Sequence, residues 1–135
     1  MKHKKIIFIF TLISLLNFNL FANNVNTFKI GVNRFAWIAA LQSVNFMPLL
    51  SADPFGGAIL SDWYAVNENE RYKIDVYVLE EYLTSETVSV KVFKQKKQGN
   101  SWVDDTNNSK DIALKIEDAI LNTARQLKIN YAITK

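Results

Sequence analysis

Arg71-Tyr72-Lys73-Ile74-Asp75-Val76-Tyr77-Val78-Leu79 alternates along its whole length. Tyr72, Ile74, Val76 and Val78 share one parity; Arg71, Lys73, Asp75 and Tyr77 share the other. Period two with one apolar face predicts a strand buried on one side and wet on the other. Val88, Val90 and Val92, alternating with Ser89, Lys91 and Phe93, repeat the pattern. Such strands need a cover for the apolar face. Ile112, Ile116, Ala119, Ile120, Thr123 and Leu127 recur at helical spacing near the C-terminus and offer one, with Glu117, Asp118 and Lys128 outside the stripe. Asn108 or Ser109 is placed to cap that helix. The two periodicities predict Tyr72, Ile74, Val76 and Val78 packed beneath Ile112, Ile116, Ile120 and Leu127. On that packing, Ile116→Ala costs about 2–5 kcal/mol.

Upstream, Asn33 can cap a helix whose apolar positions are Ala36, Trp37, Ala40, Leu41 and Val44. Phe46 to Leu50, interrupted by Pro48, suggests an edge strand. Asp53-Pro54-Phe55-Gly56-Gly57 is a turn: Asp bonds the following backbone, Pro fixes φ, and Gly permits positive φ. Ala58 to Tyr64 reads as a strand, Asn67 to Glu70 as a polar loop, Gly99-Asn100 as a turn and Ser101 to Asp104 as a short final strand. The sum is a two-layer α+β domain, an antiparallel sheet of about four or five strands packed against two helices.

Met1-Lys2-His3-Lys4-Lys5 precedes an apolar run from Ile6 to Leu16, and Leu20-Phe21-Ala22 ends on a small residue. A basic head, an apolar core of about ten residues and a small residue before the cut predict a secretory signal peptide. Asn17 and Asn19 interrupt the run before the roughly 20 residues that a membrane span needs. The organisation expected is a signal peptide at 1–22, a loose lead-in at 23–32, one α+β domain at 33–130 and a tail at 131–135. The destination is the periplasm or cell envelope.

Of the 16 basic residues among 135, Lys2, Lys4 and Lys5 fall in the signal, leaving 13 against 13 acidic. The basic isoelectric point therefore supports no nucleic-acid partner. No cysteine is present, which removes disulfides, thiolate metal sites and a lipid anchor. The single histidine, His3, lies in the signal, so histidine triads and most catalytic zinc sites are excluded from the remainder. No cofactor, metal site or catalytic residue is assigned. Asp53 and Asp62 flank the Gly-Gly turn and could in principle converge as an acid and base. Asp104 to Asn108 is oxygen-rich, but Ser109 and Lys115 stand where a calcium loop needs Gly and Glu. Lys91, Lys94, Lys96 and Lys97 form a basic cluster that either touches anionic headgroups or guards an exposed strand. Trp63 and Trp102 either pack in the core or line a groove.

Several segments are carried together: Asn33-Arg34-Phe35-Ala36-Trp37 with Ala39-Ala40-Leu41, Phe46-Met47-Pro48-Leu49, and Ser51-Ala52-Asp53-Pro54-Phe55-Gly56-Gly57. Asp62-Trp63-Tyr64, Asn69-Glu70-Arg71-Tyr72-Lys73 and Ile120 to Ile129 extend the set. Together they resemble the alphaproteobacterial envelope family catalogued as a domain of unknown function (DUF3576-like). The resemblance implies an envelope location and no assigned activity. It also implies lipoprotein anchoring for many members, from which this cysteine-free chain departs. More remotely, the order of elements is similar to the helix-grip domains of the small lipoprotein of the outer-membrane barrel-assembly machine, a likeness of architecture only.

The expected function is a non-catalytic module binding envelope proteins or the inner face of the outer membrane. Its expected binding residues are Asp53, Pro54, Phe55, Gly56, Gly57, Asp62, Trp63 and Arg71. A carrier of a lipid or other apolar ligand between sheet and closing helix is the alternative, and a hydrolase using Asp53 and Asp62 is the third.

Overall fold

The computed structural model describes residues 31–135. The signal peptide assigned to residues 1–22, and all of the lead-in before Gly31, lie outside the described residues. Helix α1 (Arg34–Val44) starts where the sequence places it: the Asn33 side chain accepts from the Ala36 N–H at 3.0 Å. The same amide donates to the Glu81 carbonyl at 2.8 Å, which pins the start of the helix to a distant loop. Strands follow at β1 (Leu49–Asp53), β2 (Ala58–Ser61), β3 (Tyr64–Asn67), β4 (Glu70–Val78), β5 (Val88–Gln98) and β6 (Ser101–Asp104), and helix α2 (Ser109–Ile133) closes the chain.

All pairings are antiparallel, in the order β1-β2-β4-β5-β6 with β3 also against β4. The fold is α+β, with six strands where four or five were expected. The extra one comes from a break. The strand expected over Ala58 to Tyr64 stops at Ser61 and resumes at Tyr64, so β2 and β3 lie end to end along one side of β4. Asp62 causes the interruption. Its carboxylate accepts from the Trp63 N–H at 2.7 Å, its own N–H donates to the Pro48 carbonyl, and the Ser61 hydroxyl takes the Ile74 N–H. These bonds remove the segment from the β4 ladder.

The edge strand expected over Phe46 to Leu50 is shifted to Leu49–Asp53 and carries a bulge between Leu49 and Ser51. Pro48 has no N–H to donate, so the regular ladder begins beyond it, and the Pro48 carbonyl alone accepts from Asp62. Phe46 stays outside, its ring edge-on to Tyr64 at 5.3 Å.

One sheet face is covered. Ile59, Ile74, Val76, Val78, Val88 and Val90 meet Ala36, Trp37, Ala40 and Val44 of α1 and Ala113, Ile120, Leu121 and Ala124 of α2. The helical stripe is rotated from its expected position: Ala119 is exposed, while Ile112, Ile116, Thr123 and Leu127 are only half-buried. Leu121 and Ala124 face inward instead. Glu117, expected outside, is half-buried because its carboxylate accepts the Val90 N–H at 2.8 Å. That bond satisfies a strand-edge donor, and the helix turns to make it.

Asn108 precedes α2 in the left-handed conformation (φ 61°) and caps with its carbonyl alone, which accepts from Ile112. The helix runs on to Ile133, so the tail expected at 131–135 is helical up to that point.

Candidate functional site

The face of the sheet opposite the helices carries Arg71, Lys73, Asp75 and Tyr77 from β4. Cross-strand register sets Gln95, Phe93, Lys91 and Ser89 of β5 beside them. Trp102 and Asp104 of β6 stand next in line, opposite Lys97 and Gln95. The Arg71 guanidinium lies between two indoles, 4.6 Å from the Trp63 ring centre and 4.4 Å from that of Trp102. Its Nε and Nη2 both donate to Gln95 Oε1, at 2.8 and 2.6 Å, and Gln95 donates in turn to Asp104 at 2.8 Å. Lys73 continues the stack over Phe93 (4.7 Å) and Trp63 (5.9 Å). Lys91 lies over Tyr77 at 5.6 Å and Lys97 over Trp102 at 5.7 Å. Phe93 remains 41% exposed. Asp75, expected to be wet, is only 9% exposed, standing between Leu60 and Lys91 in the middle of the sheet. Cation–aromatic contacts of this kind hold long side chains flat against the sheet.

Register also divides the basic cluster of β5. Lys91 and Lys97 share the uncovered face, whereas Lys94 and Lys96 have the opposite parity. There Lys94 pairs with Glu70 at 2.7 Å and with Asp105 at 3.4 Å, and Lys96 with Asp105 at 3.1 Å. The Lys94 hydrogen bond holds the Glu70 carboxyl below its usual range. Asp105 is held low chiefly by the Asn107 N–H and then by Lys96, while Glu70 raises the Lys94 ammonium. Depressed carboxylates stabilise the fold above their unfolded pKa and lose that contribution as pH falls through the folded value. The raised lysine acts at the other end, losing its contribution only as pH climbs through its folded value. The stability gap between wild type and Lys94→Met is therefore expected to narrow as pH falls from about 6 to about 2 and the two carboxylates take up protons. Thermal melts at the two pH values measure it; a gap unchanged at the lower pH contradicts the assignment.

The turn is built as its composition implies. Phe55 N–H donates to Asp53 Oδ1 at 3.0 Å, Gly57 N–H donates to the Asp53 carbonyl, and Gly57 takes φ 70°. Phe55 is 65% exposed rather than folded over the end of the sheet. The Gly57 carbonyl accepts from Val78, which hooks the turn to the far end of β4.

Of the expected site residues, the structure therefore brings Trp63 and Arg71 into contact, with Asp62 adjacent. It sets the 53–57 turn apart from them, at the opposite end of the β1–β2 hairpin. Asp62 bonds Pro48, five positions along the chain from Asp53, a separation of roughly 15 Å at strand rise. Each carboxylate is spent on a neighbouring backbone N–H. They do not converge as an acid and base.

Gln95, Lys73 and Phe93 were not among the expected site residues, and Trp102 was weighed only as a core or groove residue. The signal for Lys73 and Phe93 was their parity with Arg71. Trp102 and Gln95 needed the register of the β5–β6 hairpin.

On the helix side, Ser43, Val44, Phe46, Ile74, Lys115, Ile116 and Ala119 line an apolar cleft of about 340 Å³. Trp63 and Tyr72 do not line one pocket together. Trp63 stacks on Arg71 at the uncovered face, while Tyr72 has the opposite parity and donates to Glu70 at 3.1 Å. Among the described residues no three acidic or imidazole side chains gather as a metal site, and no helix is long and apolar enough to cross a membrane.

Residues 30–129 match the family described as "Domain of unknown function (DUF3576)". The chain is also similar to a protein of Rickettsia prowazekii (strain Madrid E) described as "Uncharacterized protein RP420". The two are 36% identical over 111 residues, covering 79% of this chain and 66% of the relative. The chain thus spans just under two thirds of that protein's length.

Proposed function

The chain belongs to the family described as a domain of unknown function, DUF3576, and we propose that it is an exported, non-catalytic docking module of the cell envelope. The observation that carries this reading is the asymmetry of the sheet. Both helices lie on one face, while the other presents a preorganised cation–aromatic array with nothing packed over it among the described residues. Aromatic and arginine side chains held rigid before contact are what strong anchoring residues have in common. Phe55, on its separate turn, supplies a second contact. Export follows from the basic head and apolar run of residues 1–22. Envelope proteins or the inner face of the outer membrane are the partners this location offers.

Photo-crosslinking in exporting cells tests the reading. A benzophenone side chain at position 93 or 55 is expected to give adducts in the envelope fraction, and one at the exposed α2 position 122 is expected to give none. Adducts from position 122 alone, or from none of the three, contradict it. A carrier of an apolar ligand is the second reading, favoured by the apolar cleft at Val44, Phe46 and Ile116. It requires ligand-dependent protection of that cleft and none of the uncovered face.

A further inference from the structure

We infer that the uncovered sheet face docks on an anionic bilayer surface, its lysines meeting lipid phosphates while its rings lie at headgroup level. This rests on the reading of that face as the docking surface and names what lies opposite it.

Charge is the main argument. Lys73, Lys91 and Lys97 make ring contacts but no ion pair among the described residues, whereas Lys94 and Lys96 on the other face are both paired. The acids of the uncovered face offset them only in part: Asp75 and Asp104 stand against Arg71, Lys73, Lys91 and Lys97, which leaves an excess of two positive charges. The positive charge is left for an anion outside the molecule.

Residue type separates the possible partners. Lysine is depleted in protein–protein interfaces. Lysine interleaved with Trp, Tyr and Phe is the set that bilayer interfaces accept, rings at the headgroup boundary and ammonium groups among the phosphates. Here Trp63, Trp102, Tyr77 and Phe93 alternate with Arg71, Lys73, Lys91 and Lys97. Along β5, Lys91 and Lys97 stand about 20 Å apart at strand rise, so the charges meet several headgroups rather than one pocket.

Vesicle sedimentation with the exported chain, residues 23–135, provides the test, comparing phosphatidylcholine vesicles with the same vesicles carrying about 30 mol% phosphatidylglycerol. Wild type is expected to prefer the anionic vesicles and to be released at about 1 M salt. A lysine near an anionic surface contributes roughly fivefold, so Lys91→Gln with Lys97→Gln is expected to weaken the preference about 25-fold. Lys91→Glu with Lys97→Glu is expected to weaken it further. Both positions are exposed, and unchanged melting verifies folding. Lys110→Gln with Lys128→Gln, an equal change of net charge on exposed positions of α2, is expected to weaken it less than about threefold.

The proposal is overturned if wild type shows no preference, if both lysine pairs matter equally, or if soluble polyglutamate binds the face more tightly than vesicles do. In that last case the occupant is an acidic polypeptide. Failure of the vesicle preference with adducts still formed at position 93 removes only the lipid assignment. Failure of both removes the docking surface as well.

Discussion

Ile120→Ala is expected to cost about 2–5 kcal/mol, the range for truncating a fully buried aliphatic side chain. Ile120 has no exposed surface and lies where α2 meets the covered side of the sheet. Its loss removes apolar burial and opens a void that the surrounding side chains can close only in part. Ile116→Ala, one turn earlier, is the instructive comparison. The helical spacing of the sequence places it in the core at the same cost, but it is half-buried on the wall of the cleft and partly wet already. Its truncation is expected to cost about 1 kcal/mol, because less apolar area returns to water. Urea denaturation of the two variants measures the difference. Equal losses would mean that the helix packs with the expected stripe inward.

Gly57→Ala is expected to be as damaging, by another route. At φ 70° a side chain already costs about 1–2 kcal/mol. A Cβ there would overlap the Val78 carbonyl oxygen and stand 2.9 Å from Val32 Cγ1. Relief requires the turn to move off β4, which breaks the bond from Val78 N–H to the Gly57 carbonyl, worth about 0.5–1.5 kcal/mol net. Together these give roughly 1.5–3.5 kcal/mol. Gly99→Ala isolates the crowding. It has a similar φ of 59° and nothing within 4 Å, so only the backbone cost of about 1–2 kcal/mol is expected. A Gly57 variant no worse than the Gly99 variant would contradict the close approach.

What the sequence made legible follows from how local each signal is. The β4 alternation, the Asn33 cap and the Asp53 turn depend on residues within a few positions of one another, and each forms as read. The boundaries of β1 and the break at Asp62 depend on a bond between Asp62 and Pro48, fourteen positions apart, which no window of periodicity contains. The rotation of α2 depends on Glu117 finding a strand donor 27 positions away. The candidate site was legible in halves. Trp63 and Arg71 could be singled out one at a time, but the sandwich needs Trp102, brought in only when β6 folds back on β5. The lysine cluster misled because adjacency in a strand alternates faces, and four neighbours in sequence become two separate pairs in space.

The Glu117 bond has a further meaning. Beyond the short β6, the outer side of β5 at Val90 is a template on which another chain's backbone could lie down. The carboxylate from α2 occupies the Val90 donor on that template. The opposite margin, β1, is closed by different means: Pro48 stands before it, Pro54 after it, and a bulge kinks it at Leu50. At these two places the sheet offers little free backbone for pairing with a further copy. On the proposed docking role, margins closed in this way leave partner capture to the face of the sheet rather than to its edges at β1 and Val90.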